Sequence, residues 1–108
     1  MRNEMILQKI IEYGEKILNY CKGYTDKESF ISNSLLVEAC VFNLSQIGEI
    51  ANKLDVSFTE EHLDIPWNAL YGLRNHIIHD YEGVNLNLIW DIIHDDLPGL
   101  IVDLKKLI

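Results

Sequence analysis

Residues 34–54 read SLLVEACVFNLSQIGEIANKL. No proline breaks this stretch, and Gly48 is its one glycine. Leu36, Ala39, Cys40, Phe42, Leu44, Ile47, Ile50, Ala51 and Leu54 recur at helical spacing and make a wide apolar face. A long helix with so broad a face is stable only when other helices cover it. Gly48 costs about 1 kcal/mol against alanine in a helix interior, a cost that close approach of another helix would offset.

The flanks supply the covering helices. Residues 4–21 place Met5, Ile6, Ile10, Tyr13, Ile17 and Tyr20 at steps of three and four, and Lys22-Gly23 is a stop. Thr25-Asp26-Lys27-Glu28 has the form of a capping box, with Phe30 and Ile31 beyond it, so a short helical turn is expected there. Residues 55–65 read as a polar connection. Pro66 suits the first turn of a third helix over about 66–80, with Trp67, Leu70, Leu73 and Ile77 as its stripe and Gly83 as its stop. A fourth helix starts at Asn85 or Asn87, both good N-caps. It carries Leu88, Ile89, Ile92 and Ile93, then Leu97, Leu100, Ile101, Leu104 and Ile108. Pro98 between these sets should kink or break it. The expected fold is all-α: an antiparallel up-and-down bundle of four main helices plus a short extra turn, as one domain over residues 1–108.

Composition agrees. A chain of 108 residues supports one hydrophobic core, and 48% hydrophobic with 24% charged residues is a globular profile. Lys and Arg number 9 against 17 Asp and Glu, a net charge of −8 that excludes a broad DNA-coating surface. The charge is unevenly spread. Residues 1–28 are neutral, and the whole excess lies in 29–108, where Arg74 is the only Lys or Arg between Lys53 and Lys105. A single cation in so acidic a stretch has a task or an anionic partner. Cys21 and Cys40 lack any CxxC or zinc pattern. Free thiols suit a reducing cytoplasm, and a disulfide between them stays open. The N-terminus is charged and amphipathic, unlike a signal peptide. No uninterrupted apolar run reaches the roughly 18–20 residues of a membrane span.

The chemistry is concentrated in Gly72-Leu73-Arg74-Asn75-His76-Ile77-Ile78-His79-Asp80-Tyr81. At about 100° per residue, with Arg74 at the origin, Asn75 lies near 100°, His79 near 140° and Tyr81 near 340°. Arg74 and His79 do not easily converge within one straight helix. Convergence needs the helix to loosen near His79, or a second copy across a two-fold axis. An Arg, a His and an amide suit a phosphodiester. The guanidinium fork stabilises charge on phosphoryl oxygens, and imidazole exchanges protons near neutral pH. RNA carries its own nucleophile, the 2′-OH, so the pair can act without a metal and leave a 2′,3′-cyclic phosphate and a 5′-OH.

Arg74, four residues, then His79-Asp80-Tyr81 resembles the Arg-x4-His-x-Tyr motif of the HepT-like toxins, small helical nucleases of the HEPN superfamily. Ile47-Gly48-Glu49, Ile65-Pro66-Trp67, Gly72-Leu73-Arg74-Asn75, Trp90 and Asp96-Leu97-Pro98 extend the resemblance, in order, over most of the chain. The resemblance implies a HEPN-like bundle forming a homodimer with motif helices facing each other, and a ribonuclease toxin of a type II toxin–antitoxin system with no cofactor. It implies an RNA substrate and a minimal nucleotidyltransferase (MntA-like) antitoxin able to transfer AMP to the motif tyrosine. By position, Arg74 and His79 become the catalytic pair, Asn75 a polar helper and Tyr81 the AMPylation target.

Other readings stay beside these. Arg74 can be a structural cation paired with Glu49. Glu49 can be an exposed helix residue, or can fix the Arg74 rotamer from the facing helix. Asp80 can orient His79, or with Glu82 repel substrate. His76, His79, Asp80, Asp91 and His94 can be imagined as a metal site, although no second Glu-x-x-His appears. The alternative function is a non-catalytic module that binds a nucleotide or a nucleotidyltransferase partner.

Overall fold

The computed structural model describes the backbone of residues 2–78 and 85–108 and the side chains of 2–73 and 85–108. Within them the fold is all-helical: α1 (Arg2–Tyr20), α2 (Lys27–Ile31), α3 (Ser34–Ala51), α4 (Val56–Glu60), α5 (Trp67–Ile78), α6 (Leu86–Asp91), a π-helical turn (Ile92–Asp96) and α7 (Leu97–Lys105). The four long segments expected from periodicity are α1, α3, α5 and the run from α6 through α7.

α3 is the centre, packed along α1 on one side and α5 on the other. Its core residues Cys40, Leu44, Ile47 and Ala51 are fully buried. Among the described residues it is also the one helix long and apolar enough, by length and composition, to cross a bilayer, and 50% of it is buried inside the bundle. Phe42 departs from the expected core face, with 60% of its surface exposed. Helical geometry gives the reason: Phe42 lies about 160° round from Leu44. It shares the outer side with Leu35, which is 78% exposed.

α1 and α3 run antiparallel, and polar contacts mark both ends. At the start of α1, Arg2 donates to Asp55 Oδ1 at 3.0 Å, Asn3 Nδ2 donates to Asp55 Oδ2 at 3.2 Å, and Asn3 Oδ1 accepts from the Asp55 backbone N–H at 3.1 Å. Asp55 lies just past the end of α3. At the other end, Cys21 meets Cys40. The buried stripe of α1 is Ile6, Leu7, Ile10, Ile11 and Ile17, so Met5 and Tyr20 fall outside the expected stripe and are exposed. The fourth stripe narrows in the same way, because Leu88 and Ile108 are exposed.

The connections differ from expectation in instructive ways. Gly23 is the described residue with positive φ, at 88°, and it ends the α1 region where a stop was expected. Asp26, not Thr25, is the N-cap of α2; its carboxylate accepts from the Ser29 backbone N–H at 3.0 Å and from the Ser29 hydroxyl. Residues 55–65 are not simply a loop, because they hold α4. The Trp67 Nε1–H donates to the carbonyls of Thr59 at 3.1 Å and His62 at 2.8 Å, which ties α4 onto the first turn of α5. Phe58 packs against both Trp67 and His62. A close helix approach is found at Gly14, where an added Cβ would lie 2.8 Å from Ile101 Cδ1 of α7. Gly48 is buried, and its carbonyl accepts from Asn52 Nδ2.

Pro98 lies where the α-helical pattern of the fourth segment is interrupted, as expected, by a π turn between α6 and α7. It sits in the first turn of α7, and the π turn directly before it widens the helix where a proline would otherwise clash. Phe30 of α2 packs on Trp90 of α6 with ring centroids 5.4 Å apart, and Lys27 pairs with Asp91 at 3.2 Å. These contacts hold α2 to α6.

This packing has two measurable outcomes. Trp67→Phe keeps the ring volume near the core but removes the donor that two carbonyls share, and should cost about 1–2 kcal/mol in urea unfolding. The Asp26 carboxyl is held below its ordinary pKa, first by the Ser29 backbone N–H and then by the Ser29 hydroxyl. Its contribution is present above the unfolded carboxylate pKa and is lost as pH falls through the lower folded value. Thermal melts across the acid range should therefore show the gap between wild type and Asp26→Ala closing as pH drops.

Candidate functional site

α5 is the element that positions the candidate motif. Its first turn is anchored by Trp67, and Ile65 before it is buried. Leu70 and Leu73 are buried in the core that α5 shares with α3. The helical backbone continues through Arg74 and Asn75 to Ile78. The side chains of Arg74 and Asn75 lie outside the described residues, and so do His79, Asp80 and Tyr81 entirely. On the far side of the motif, the Asn85 side chain caps α6 by accepting from the Leu88 backbone N–H at 3.2 Å, so Asn85 rather than Asn87 starts the fourth segment. The motif segment thus leaves one buried helical turn and ends on a capped one.

Glu49 is the expected supporting residue that is described. It sits on α3, the helix packed along α5, where it is half-buried and engaged in an interaction. It is therefore not the freely exposed helix residue of the alternative reading.

A groove of about 510 Å³ runs between α3, α5 and the π turn with α7. Leu70 and Leu73 of α5 and Leu97 and Leu100 of α7 give it apolar walls, and the exposed carboxylates Asp95, Asp96 and Asp103 border it. Three carboxylates repel a phosphate chain, so the groove is unsuited to hold RNA along its length. Asp95 lies eight residues and Asp96 seven residues before Asp103, a helical spacing that places these acids on one side.

Among the described residues, no group of three or more His, Cys, Asp or Glu is placed to hold a metal ion. His94 and Asp91, two members of the imagined metal set, are otherwise engaged. His94 stacks on Trp90 with centroids 5.2 Å apart and meets Asp95 at 3.2 Å, while Asp91 pairs with Lys27. His76, His79 and Asp80 of that set lie outside the described side chains.

The model of the ribonuclease HepT-like family matches residues 10–107, which takes in α3, α5 and the whole motif. The chain belongs to the HepT-like ribonuclease family. A protein of Caldanaerobacter subterraneus subsp. tengcongensis named "Putative RNase" is 33% identical over 102 residues, covering 94% of this chain and 90% of that one. A Methanocaldococcus jannaschii protein of the same name is 33% identical over 94 residues, covering 87% and 85%. A Thermococcus cleftensis protein named "Probable ribonuclease HepT" is 30% identical over 80 residues, covering 74% and 73%. No solved structure matches the chain. Membership of the HepT-like family agrees with the all-helical architecture seen here.

Leu73 is the described core residue directly before Arg74 in the chain. Leu73→Ala should lower stability by about 2–4 kcal/mol in chemical denaturation, because it empties a buried side chain between α5 and the groove. A change below about 0.5 kcal/mol would mean that this turn of α5 is not held by its packing.

Proposed function

We propose that this HepT-like chain is a metal-independent endoribonuclease, the toxin of a type II toxin–antitoxin system acting in the cytoplasm. Residues 1–108 work as one HepT-like domain in a homodimer. The observation that carries this reading is the family match across residues 10–107, whose span includes Arg74, His79 and Tyr81 at the motif's spacing.

His79 takes the proton of the RNA 2′-OH, which attacks the adjacent phosphorus. Arg74 stabilises the negative charge that builds on the phosphoryl oxygens. Asn75 adds an amide donor, and Asp80 holds the His79 ring. The 5′-oxygen leaves with a proton, so the products carry 2′,3′-cyclic phosphate and 5′-OH ends. Glu49 acts through Arg74 as a positioning residue; its half-buried place on the helix beside α5 supports this role. The homodimer is supported by the angle of about 140° between Arg74 and His79 on one helix, which a second copy of the motif overcomes.

The same reading gives Tyr81 as the acceptor of AMP from a minimal nucleotidyltransferase antitoxin of the MntA type. Arg74 and Tyr81 are seven residues apart, so they share a helical face if the helix continues. A bulky anionic group at Tyr81 then competes with RNA phosphate for the only cation of the region.

Incubation of the purified protein with mixed-sequence RNA in excess chelator tests the reaction. Wild type should give cyclic-phosphate ends, and Arg74→Ala and His79→Ala should each lose at least about 100-fold in rate with unchanged helical content. Glu49→Gln should lower kcat about tenfold with little change in KM, as expected for a misplaced guanidinium. Cleavage that persists in both catalytic variants would falsify the assignment. Absence of any product from unmodified, dimeric wild type would favour a nucleotide- or nucleotidyltransferase-binding module.

With the antitoxin partner and ATP, wild type should gain AMP and lose cleavage. Tyr81→Phe should cleave RNA and take no AMP.

A further inference from the structure

Cys21 and Cys40 take no part in the proposed RNA chemistry, and their own reactivity is independent of it. Both are free thiols. Cys21 follows the last residue of α1 and is partly exposed, whereas Cys40 lies fully buried on α3. They are 19 positions apart in the chain, yet their sulfurs lie 3.6 Å apart, at hydrogen-bond distance. The antiparallel packing of α1 and α3 brings them together, because the end of one helix meets the first half of the other.

The two thiols are not equivalent. The hydrogen bond from Cys40 holds the Cys21 thiol below its ordinary pKa, against the opposing effect of partial burial. Cys40 is pushed up, first by that same hydrogen bond, then by burial and by the neighbouring Cys21 charge. Thiolate, not thiol, is the nucleophile, and only Cys21 is open to a solvent-borne oxidant. A disulfide requires the sulfurs at about 2.05 Å. They must close by roughly 1.5 Å, a distance that side-chain rotation and a slight adjustment past the end of α1 can supply.

We propose that Cys21 and Cys40 form a peroxide-responsive pair, in which Cys21 is the attacking thiol and Cys40 the resolving one. The Cys21 thiolate attacks one oxygen of hydrogen peroxide, the O–O bond breaks, and the hydroxide released is protonated to water. Cys21 is then a sulfenic acid. The Cys40 sulfur attacks Cys21 Sγ as its proton passes to the departing hydroxide. The S–S bond forms, the S–O bond breaks and a second water leaves. Two thiols are oxidised by one peroxide, which is reduced to two waters. The new bond closes the segment that holds α2, so the chain from Cys21, just past α1, through α2 to Cys40 in the first half of α3 becomes one covalent ring. A low-molecular-weight thiol reopens it by exchange.

The test uses the full chain, reduced, exposed to hydrogen peroxide, alkylated and read by intact mass and peptide mapping. Wild type should lose two hydrogens, expose no alkylatable thiol, yield a linked Cys21–Cys40 peptide and revert with dithiothreitol. In Cys40→Ala, Cys21 should give a dimedone-trapped sulfenic acid. In Cys21→Ala, Cys40 should be oxidised at least about tenfold more slowly than Cys21 is in wild type. Oxygen addition at Cys21 with Cys40 still reduced overturns the proposal. So does a disulfide between two chains, or no loss of thiol over a time that oxidises free cysteine. The deciding measurement is on wild type, so poor folding of a variant does not rescue the proposal.

Discussion

α3 is apolar round so much of its circumference that no single neighbour can cover it. Burying it needs helices on two sides, and in this chain those are α1 and α5. Transfer of its aliphatic side chains from water supplies the driving force, at about 25 cal/mol per Å² of apolar area. Direction comes from polar contacts near its two ends. The Arg2, Asn3 and Asp55 cluster and the Cys21–Cys40 contact both require α1 to run against α3. With α1 placed, α5 takes the remaining side, and the backbone of Arg74 and Asn75 is carried on a helix whose preceding turns are buried.

This arrangement separates stability from chemistry. The core needs Leu70 and Leu73 on α5, while the groups that suit a phosphodiester follow them along the chain. The acidic surface takes on a different meaning beside a lone Arg74. The carboxylates Asp95, Asp96 and Asp103 make the groove they border unattractive to a nucleic acid. Under the proposed function, a substrate held by one guanidinium on such a body is selected more by local shape than by general electrostatic capture. The HepT-like family assignment and the charge distribution are compatible on that basis.

Much of this could be read from residue order. Helical periodicity located all four long segments, and Asn85 and Gly23 acted as their local chemistry predicts. Periodicity was less able to choose among neighbouring apolar positions. Met5 and Phe42 sit one helical step from true core residues, and only the placement of neighbouring helices decides which side is covered. α4 escaped notice because its order depends on a partner outside it, the indole N–H of Trp67. The motif was legible through its resemblance to a family, since Arg74 and His79 do not converge by helical spacing alone. Glu49 was undecided in sequence because its burial depends on which helix lies against α3.

The wide turn at Ile92–Asp96 also constrains how this chain can change length. Buried Ile89, Ile93, Leu97 and Ile101 follow one another at steps of four. In a regular α-helix each such step drifts by about 40°, and the stripe would wander off the core within three steps. A turn of larger circumference takes up part of that drift. A turn of i→i+5 bonds holds one residue more than an α turn over nearly the same rotation, so deleting one residue there would restore ordinary helical hydrogen bonding and leave α7 nearly in place, with Ile101 still against Gly14. The exposed His94, Asp95 and Asp96 can be substituted without disturbing the bundle, and loss of one of them is the length change that the core stripe can absorb. A chain one residue shorter at this place would carry the same core on an unbroken α-helix.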